Sequence, residues 1–223
     1  KAIKKQFKDI DLFLNNFQQS LYQLQHAKFP VVSCPSGLAI GGGYEVISQT
    51  SFITAHSNSV LGLVESLVGL IPAGGGCKEM LRRWFNHPEI KNDPKLLFLK
   101  VFNLIGYATT ADSPIKAKAQ QFLGEQDIMV MSKDRLIEEA DNIIVSKREN
   151  YQALENASFS LPGPSIMPEM LDILYELKDK KVIGEHGIEV GKKLGYMLSG
   201  GETNPSTVLS EQNLYDLERE IFI

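Results

Sequence analysis

The sequence is poor in the residues that carry covalent and metal chemistry. Only two cysteines occur among 223 residues, Cys34 and Cys77. Two thiols without CxxC spacing give no disulfide framework, so buried free thiols and a reducing, cytoplasmic location are expected. The four histidines are scattered, with His26 ending a helical stretch, His56 and His87 in polar loops, and His186 beside Glu185. None has metal-ligand spacing, and no metal is expected. No GxSxG elbow surrounds Ser36 or Ser66, which removes the usual mark of a hydrolase serine. No run of 18 apolar residues exists, so no membrane span is expected. No secretory leader pattern is visible either. Charge of one sign is also missing: 23 Lys and Arg stand against 27 Asp and Glu, a formal net charge of −4. A nucleic-acid surface needs a basic stripe, so no nucleic-acid partner is expected. The first residue is Lys1 rather than Met, which leads to the expectation of an N-terminally incomplete chain.

What is present is the mix of an ordinary folded domain, 43% apolar and 22% charged. Phe7, Ile10, Phe13, Phe17, Leu21 and Leu24 recur at steps of three and four, predicting an amphipathic helix over 7–27. Short extended runs follow at 29–34, 51–55, 60–64 and 127–131, alternating with helices predicted to about 49, after Gly76 to about 85, from Pro94 onward, and from a Thr110 cap to 121. A polar loop is expected between residues 86 and 94. Beyond 133 the strand signals vanish, and helices are predicted at 133–155, 166–181, 186–199 and 207–222. The organisation expected is a mixed α/β core over 1–132 and a helical C-terminal region over 133–223. Trp84 with Phe85 reads as helix-end packing, and Lys78 as a surface residue.

Two glycine triplets, Gly41–Gly43 and Gly74–Gly76, precede helices. The window from Gly69, GLIPAGGG, lacks the Lys and Ser/Thr of a phosphate loop, and Gly37 with Gly41–Gly43 does not give GxGxxG. Amides that meet an oxygen anion remain the chemistry open to these segments. Glu45 follows Gly42 by three residues, nearly one helical turn, so the two share a face. The plain alternative is a glutamate that complements a helix dipole. Glu65 sits inside the apolar run Gly62 to Leu67, where an unpaired carboxylate is costly and its pKa rises toward the range useful for acid/base work. Its plain alternative is a strand end facing solvent.

The stretch FPVVSCPSGLAIGGGYEVISQTSFITAHSNSVLGLVESLVGLIPAGGGCKEMLRR, Phe29 to Arg83, resembles the enoyl-CoA hydratase/isomerase (crotonase) family. GLVESLVGLIPAGGGCKEML and the tail LSGGETNPS to SEQNLYDLEREIF are similar to the crotonase-like part of bacterial β-oxidation 3-hydroxyacyl-CoA dehydrogenases. The resemblance implies a partial crotonase fold, a ClpP/crotonase-like spiral of ββα units, followed by the helical region. It implies Glu45 and Glu65 as catalytic residues, and Gly42, Gly41 and Ala73 as oxyanion and substrate-binding positions. Ala73 stands where many members have glycine, and its amide is placed to orient the attacking water. A second oxyanion amide is expected from a strand and loop upstream of Lys1. The implied activity is enoyl-CoA hydratase, adding water across a 2-enoyl-CoA, with a coenzyme A thioester as substrate and no cofactor bound by these residues. NAD enters only through a dehydrogenase domain that the sequence does not contain. The implied partners are an acyl-CoA, a dehydrogenase domain, or further copies in a trimer or dimer of trimers. A non-catalytic remnant or assembly module, and an enoyl-CoA isomerase, stand as alternatives.

Overall fold

A computed structural model describes residues 7–85, 87–90 and 93–223. The predicted 86–94 loop therefore lies in part outside the described residues. The chain opens on α1 (Phe7–Gln25). Its buried face is Leu14, Gln18, Leu21 and Gln25, while Phe7 and Phe13 are exposed. The expected apolar stripe is thus rotated toward a face carrying two glutamines, because those amides have buried partners described below.

Two small sheets carry the α/β section. β1 (Val32–Ser33), β3 (Phe52–His56) and β6 (Ile128–Val130) run parallel in the order β1-β3-β6. β2 (Leu38–Ile40) pairs in parallel with β4 (Val60–Gly62), and β4 pairs antiparallel with β5 (Thr110–Ala111). Between the strands lie α2 (Gly42–Ser48), α3 (Gly76–Phe85), α4 (Pro94–Gly106) and α5 (Pro114–Ala119). Two boundaries differ from expectation. Thr110 joins a strand, and Ser113 caps α5 through its side chain, since Pro114 supplies the preset φ of a first helical residue. The run 29–34 forms only a two-residue strand.

The remaining chain holds α6 (Leu136–Lys147), α7 (Met167–Asp179), α8 (Glu185–Ser199) and α9 (Glu211–Phe222). It is not purely helical: β7 (Ser158–Ser160) and β8 (Val208–Ser210) form an antiparallel ribbon, with Phe159 buried opposite Leu209. β8 takes residues from the start of the helix predicted over 207–222, β7 falls between two predicted helices, and α6 stops at Lys147. Ser210 caps α9 in a reciprocal capping box with Asn213. One apolar cluster runs through both sections, joining Tyr44, Leu61, Trp84 and Phe98 to Met170, Leu194, Leu198 and Leu214. Cys77 is buried as expected, whereas Cys34 is half-buried. Among the described residues, no helix is long and apolar enough to cross a membrane, and no group of three or more acidic, His or Cys side chains is arranged to hold a metal ion.

Candidate active site

Parallel strands leave their C-terminal ends side by side. Ile40 of β2 lies opposite Gly62 of β4, so the residues that follow each strand emerge together. After β2 come Gly41 and α2, carrying Glu45; after β4 comes a 3₁₀ turn, Glu65–Val68. Gly41 has φ +55°, a left-handed conformation natural to glycine. A Cβ on Gly41 would stand 3.2 Å from Glu65 Oε1, and one on Gly42 would stand 4.0 Å from Glu45 Oε2. Two carboxylates separated by twenty positions therefore flank one turn. The Gly41 amide donates to Gly62 O at 2.9 Å, so it serves the turn rather than a substrate. Gly42 is the exposed first residue of α2, and its N–H has no intrahelical acceptor.

Glu45 is 4% exposed, and its Oε1 accepts from the N–H groups of Gly74 at 2.7 Å and Gly76 at 2.9 Å. Burial, aided by the charge of Glu65, pushes its carboxyl up to about 7, against the opposing pull of the Gly74, Gly76 and Ala73 amides. The acceptor met by Gly74 and Gly76 of the second glycine triplet is thus one of the protein's own carboxylates. The Ala73 amide also lowers the Glu45 carboxyl, and Ala73 O accepts from Gln18 Nε2 at 2.9 Å.

Glu65 heads its 3₁₀ turn between Val64 and Ser66. Its Oε2 is buried and has no hydrogen-bond partner among the described residues. Burial raises its pKa, opposed by its own amide and that of Val64. A carboxylate oxygen kept from water and left unpaired is costly in a purely structural setting, and this one stands beside a second carboxylate. Ser66 turns away, its Oγ donating to Ile105 O at 2.9 Å.

Three contributors escaped the sequence reading. Glu218 of α9 is fully buried, with Oε2 accepting from Gly75 N at 2.6 Å and Oε1 from Lys78 N at 2.9 Å. Burial and the charge of Glu45 push its carboxyl up to about 8, opposed by those amides and by the Lys78 ammonium. Gln18 ties α1 to this corner by donating to both Ala73 O and Tyr215 O. Lys78, expected at the surface, is fully buried: its ammonium donates to Gln25 Oε1 at 2.6 Å and Gln49 Oε1 at 3.0 Å, and lies 4.9 Å from the Tyr215 ring centre. The signal that could have exposed Glu218 is a charge on the apolar stripe Leu214, Tyr215 and Ile221, at helical spacing.

Residues 1–89 match the enoyl-CoA hydratase/isomerase family. That segment, which carries Gly41, Gly42, Glu45, Glu65 and Ala73, is similar to this family. A Bacillus subtilis (strain 168) protein named probable 3-hydroxyacyl-CoA dehydrogenase is 31% identical over 218 residues, covering 97% of this chain and 27% of that protein. A Rhizobium meliloti (strain 1021) protein named probable enoyl-CoA hydratase is 27% identical over 168 residues, covering 75% of this chain and 55% of its own length. The chain thus spans about a quarter of the first relative and about half of the second. The crystal structure of an enoyl-CoA hydratase from Bacillus anthracis superimposes with a TM-score of 0.52 at 19% identity, covering 86% of this chain and 62% of that one. The crotonase fold expected from the family resemblance is therefore present, with its helical C-terminal section.

Proposed function

We propose that the chain carries the enoyl-CoA hydratase site of a β-oxidation protein of the 3-hydroxyacyl-CoA dehydrogenase type, with Glu45 and Glu65 as its acid/base pair. The observation that carries this reading is the convergence of both glutamates on the Gly41–Gly42 turn, each raised above its ordinary pKa. Hydration of a 2-enoyl-CoA adds hydroxide to Cβ and a proton to Cα. One carboxylate must accept the proton of water while the other, protonated, delivers its own, so the pair must begin with one proton between them. A buried and a half-buried carboxylate that repel one another favour that singly protonated state over the doubly ionised one. Charge develops on the thioester oxygen as water attacks, and the Gly42 amide is suited to receive it. Two acid/base groups favour hydratase over isomerase, which shifts a proton between two carbons and can work with one. The acyl-CoA substrate, and the absence of any other cofactor on these residues, follow from this chemistry as part of the proposal.

The test is hydration of crotonyl-CoA, followed as loss of enoyl absorbance, on this chain and on the chain preceded by the strand and loop that supply the other oxyanion amide. Activity is expected where both amides are present, and Glu45→Gln or Glu65→Gln should lower kcat by about 10²–10⁴. Absence of turnover in both forms would favour the non-catalytic remnant. Hydration that survives Glu65→Gln would point to another mechanism for water addition.

A further inference from the structure

The loop Ala73–Gly76 has an unusual arrangement of donors. Its amides alternate between two glutamates from different parts of the chain: Gly74 and Gly76 donate to Glu45, while Gly75, and Lys78 one turn further on, donate to Glu218. These are the amides that open α3, and a helix start leaves its first N–H groups in need of acceptors. Here the acceptors come from α2 and α9. Three successive glycines have little conformational preference of their own, so the direction of each peptide has to be imposed from outside. Gly75 sits at φ +102°, in the region natural to glycine, and its N–H meets a different carboxylate from those of its neighbours. A Cβ on Gly75 would lie 2.5 Å from Tyr215 Cε1, so α9 is packed hard on the loop at this point.

We infer that Glu218 is a positioning residue, which holds Gly75 and Lys78 in the orientation that turns the Gly74 and Gly76 amides onto Glu45. It touches no substrate in this assignment. It acts by fixing the carboxylate that does, from a helix 143 residues downstream of Gly75 in sequence. The assignment rests on the proposed function only for the role of Glu45; the coupling between loop and helix stands on the hydrogen bonds themselves.

Backbone amide exchange, resolved residue by residue, tests it without requiring turnover. Glu218→Gln keeps the shape but replaces one acceptor oxygen with an NH₂ that faces an N–H. Exchange at Gly74 and Gly76, relative to Val101 in α4, should rise about tenfold or more in this variant, the scale of one lost net hydrogen bond. Leu214→Ala, buried on the same helix without any hydrogen bond to the loop, should leave that ratio unchanged. Glu218→Asp carries the same test if the glutamine variant does not fold. The assignment is overturned if only Gly75 and Lys78 lose protection, or if Leu214→Ala raises the ratio equally. Where crotonyl-CoA hydration is measurable, kcat should fall about tenfold with KM within about twofold; a rise in KM alone would also overturn it. Lack of turnover in the parent chain would count against the proposed function and leave the exchange result to decide this one.

Discussion

Glu45 and Glu79 are both buried against α3, and they titrate in opposite directions. Glu45 meets only amides and another carboxylate, and burial carries it up to about 7. Glu79 meets Arg82 Nε at 2.9 Å, Arg83 Nε at 2.7 Å and the amide of Gln25 at 2.7 Å. Burial pushes Glu79 up as well, but the Arg82 and Arg83 guanidiniums and the Lys78 ammonium outweigh it and hold the carboxyl well below the usual range. The difference lies in the partners. Cations lock a buried carboxylate in its charged form and make it structural, whereas amides alone orient it while leaving its proton exchangeable. Arg83 extends the structural network by donating to Ser48 O at 3.0 Å and Phe122 O at 3.2 Å, so the last turn of α3 binds α2 to the loop after α5.

The same exchange at both positions breaks or sharpens this contrast. Glu79→Gln leaves Arg82, Arg83 and Lys78 clustered without their counter-charge and should destabilise the fold by about 3–5 kcal/mol, read from urea unfolding. Glu45→Gln retains a carbonyl acceptor for the Gly74 and Gly76 amides and should cost far less. A loss at Glu45 as large as that at Glu79 would erase the distinction.

Stability against pH separates them next. Glu45 and Glu218 bind protons more tightly in the folded chain than in the unfolded one, where carboxyls titrate near 4.5. Their contribution is therefore fully present below about 4.5 and is lost as pH rises through about 7 and 8. Glu79 contributes with the opposite sign, stabilising above its unfolded pKa and losing that effect as pH falls through its depressed folded value. Glu45→Gln should flatten the decline between about pH 5 and 8, and Glu79→Gln should flatten the acid limb instead. Unchanged slopes in unfolding measurements across that range would show that these carboxyls do not govern it.

The smallest expected effect tests the packing around Glu45. A Cβ on Gly74 would lie 2.4 Å from Phe17 Cε1 and 2.7 Å from Glu45 Oε2. Gly74→Ala should therefore destabilise by about 1–3 kcal/mol, a typical overpacking cost. Phe17→Leu in the same chain should recover part of that loss in thermal unfolding. No recovery would place the strain at the carboxylate instead of the ring.

These contrasts were unevenly legible in the sequence. Gly42 and Glu45 are three residues apart in one helix, so a local period was enough to align them. Glu65 required a pairing between two strands, but each strand had a short apolar run and the family spacing linked them. Lys78 and Glu79 were opaque because adjacent charged residues at the start of a helix usually face water. Here Gln25 of α1, Gln49 just past α2 and Tyr215 of α9 close over Lys78. The β7–β8 ribbon was missed for a related reason: three-residue strands carry too little periodicity to stand out, and their pairing joins segments fifty residues apart.

Gln18, Tyr215 and Glu218 meet on the loop Ala73–Gly76, which has a consequence for any attempt to divide the chain. A cut near residue 132, meant to isolate the α/β section, would spare Glu45 and Glu65 yet remove the acceptor of the Gly75 and Lys78 amides. The two carboxylates and the helix that closes on their loop belong to different stretches of sequence, so neither can be transplanted alone.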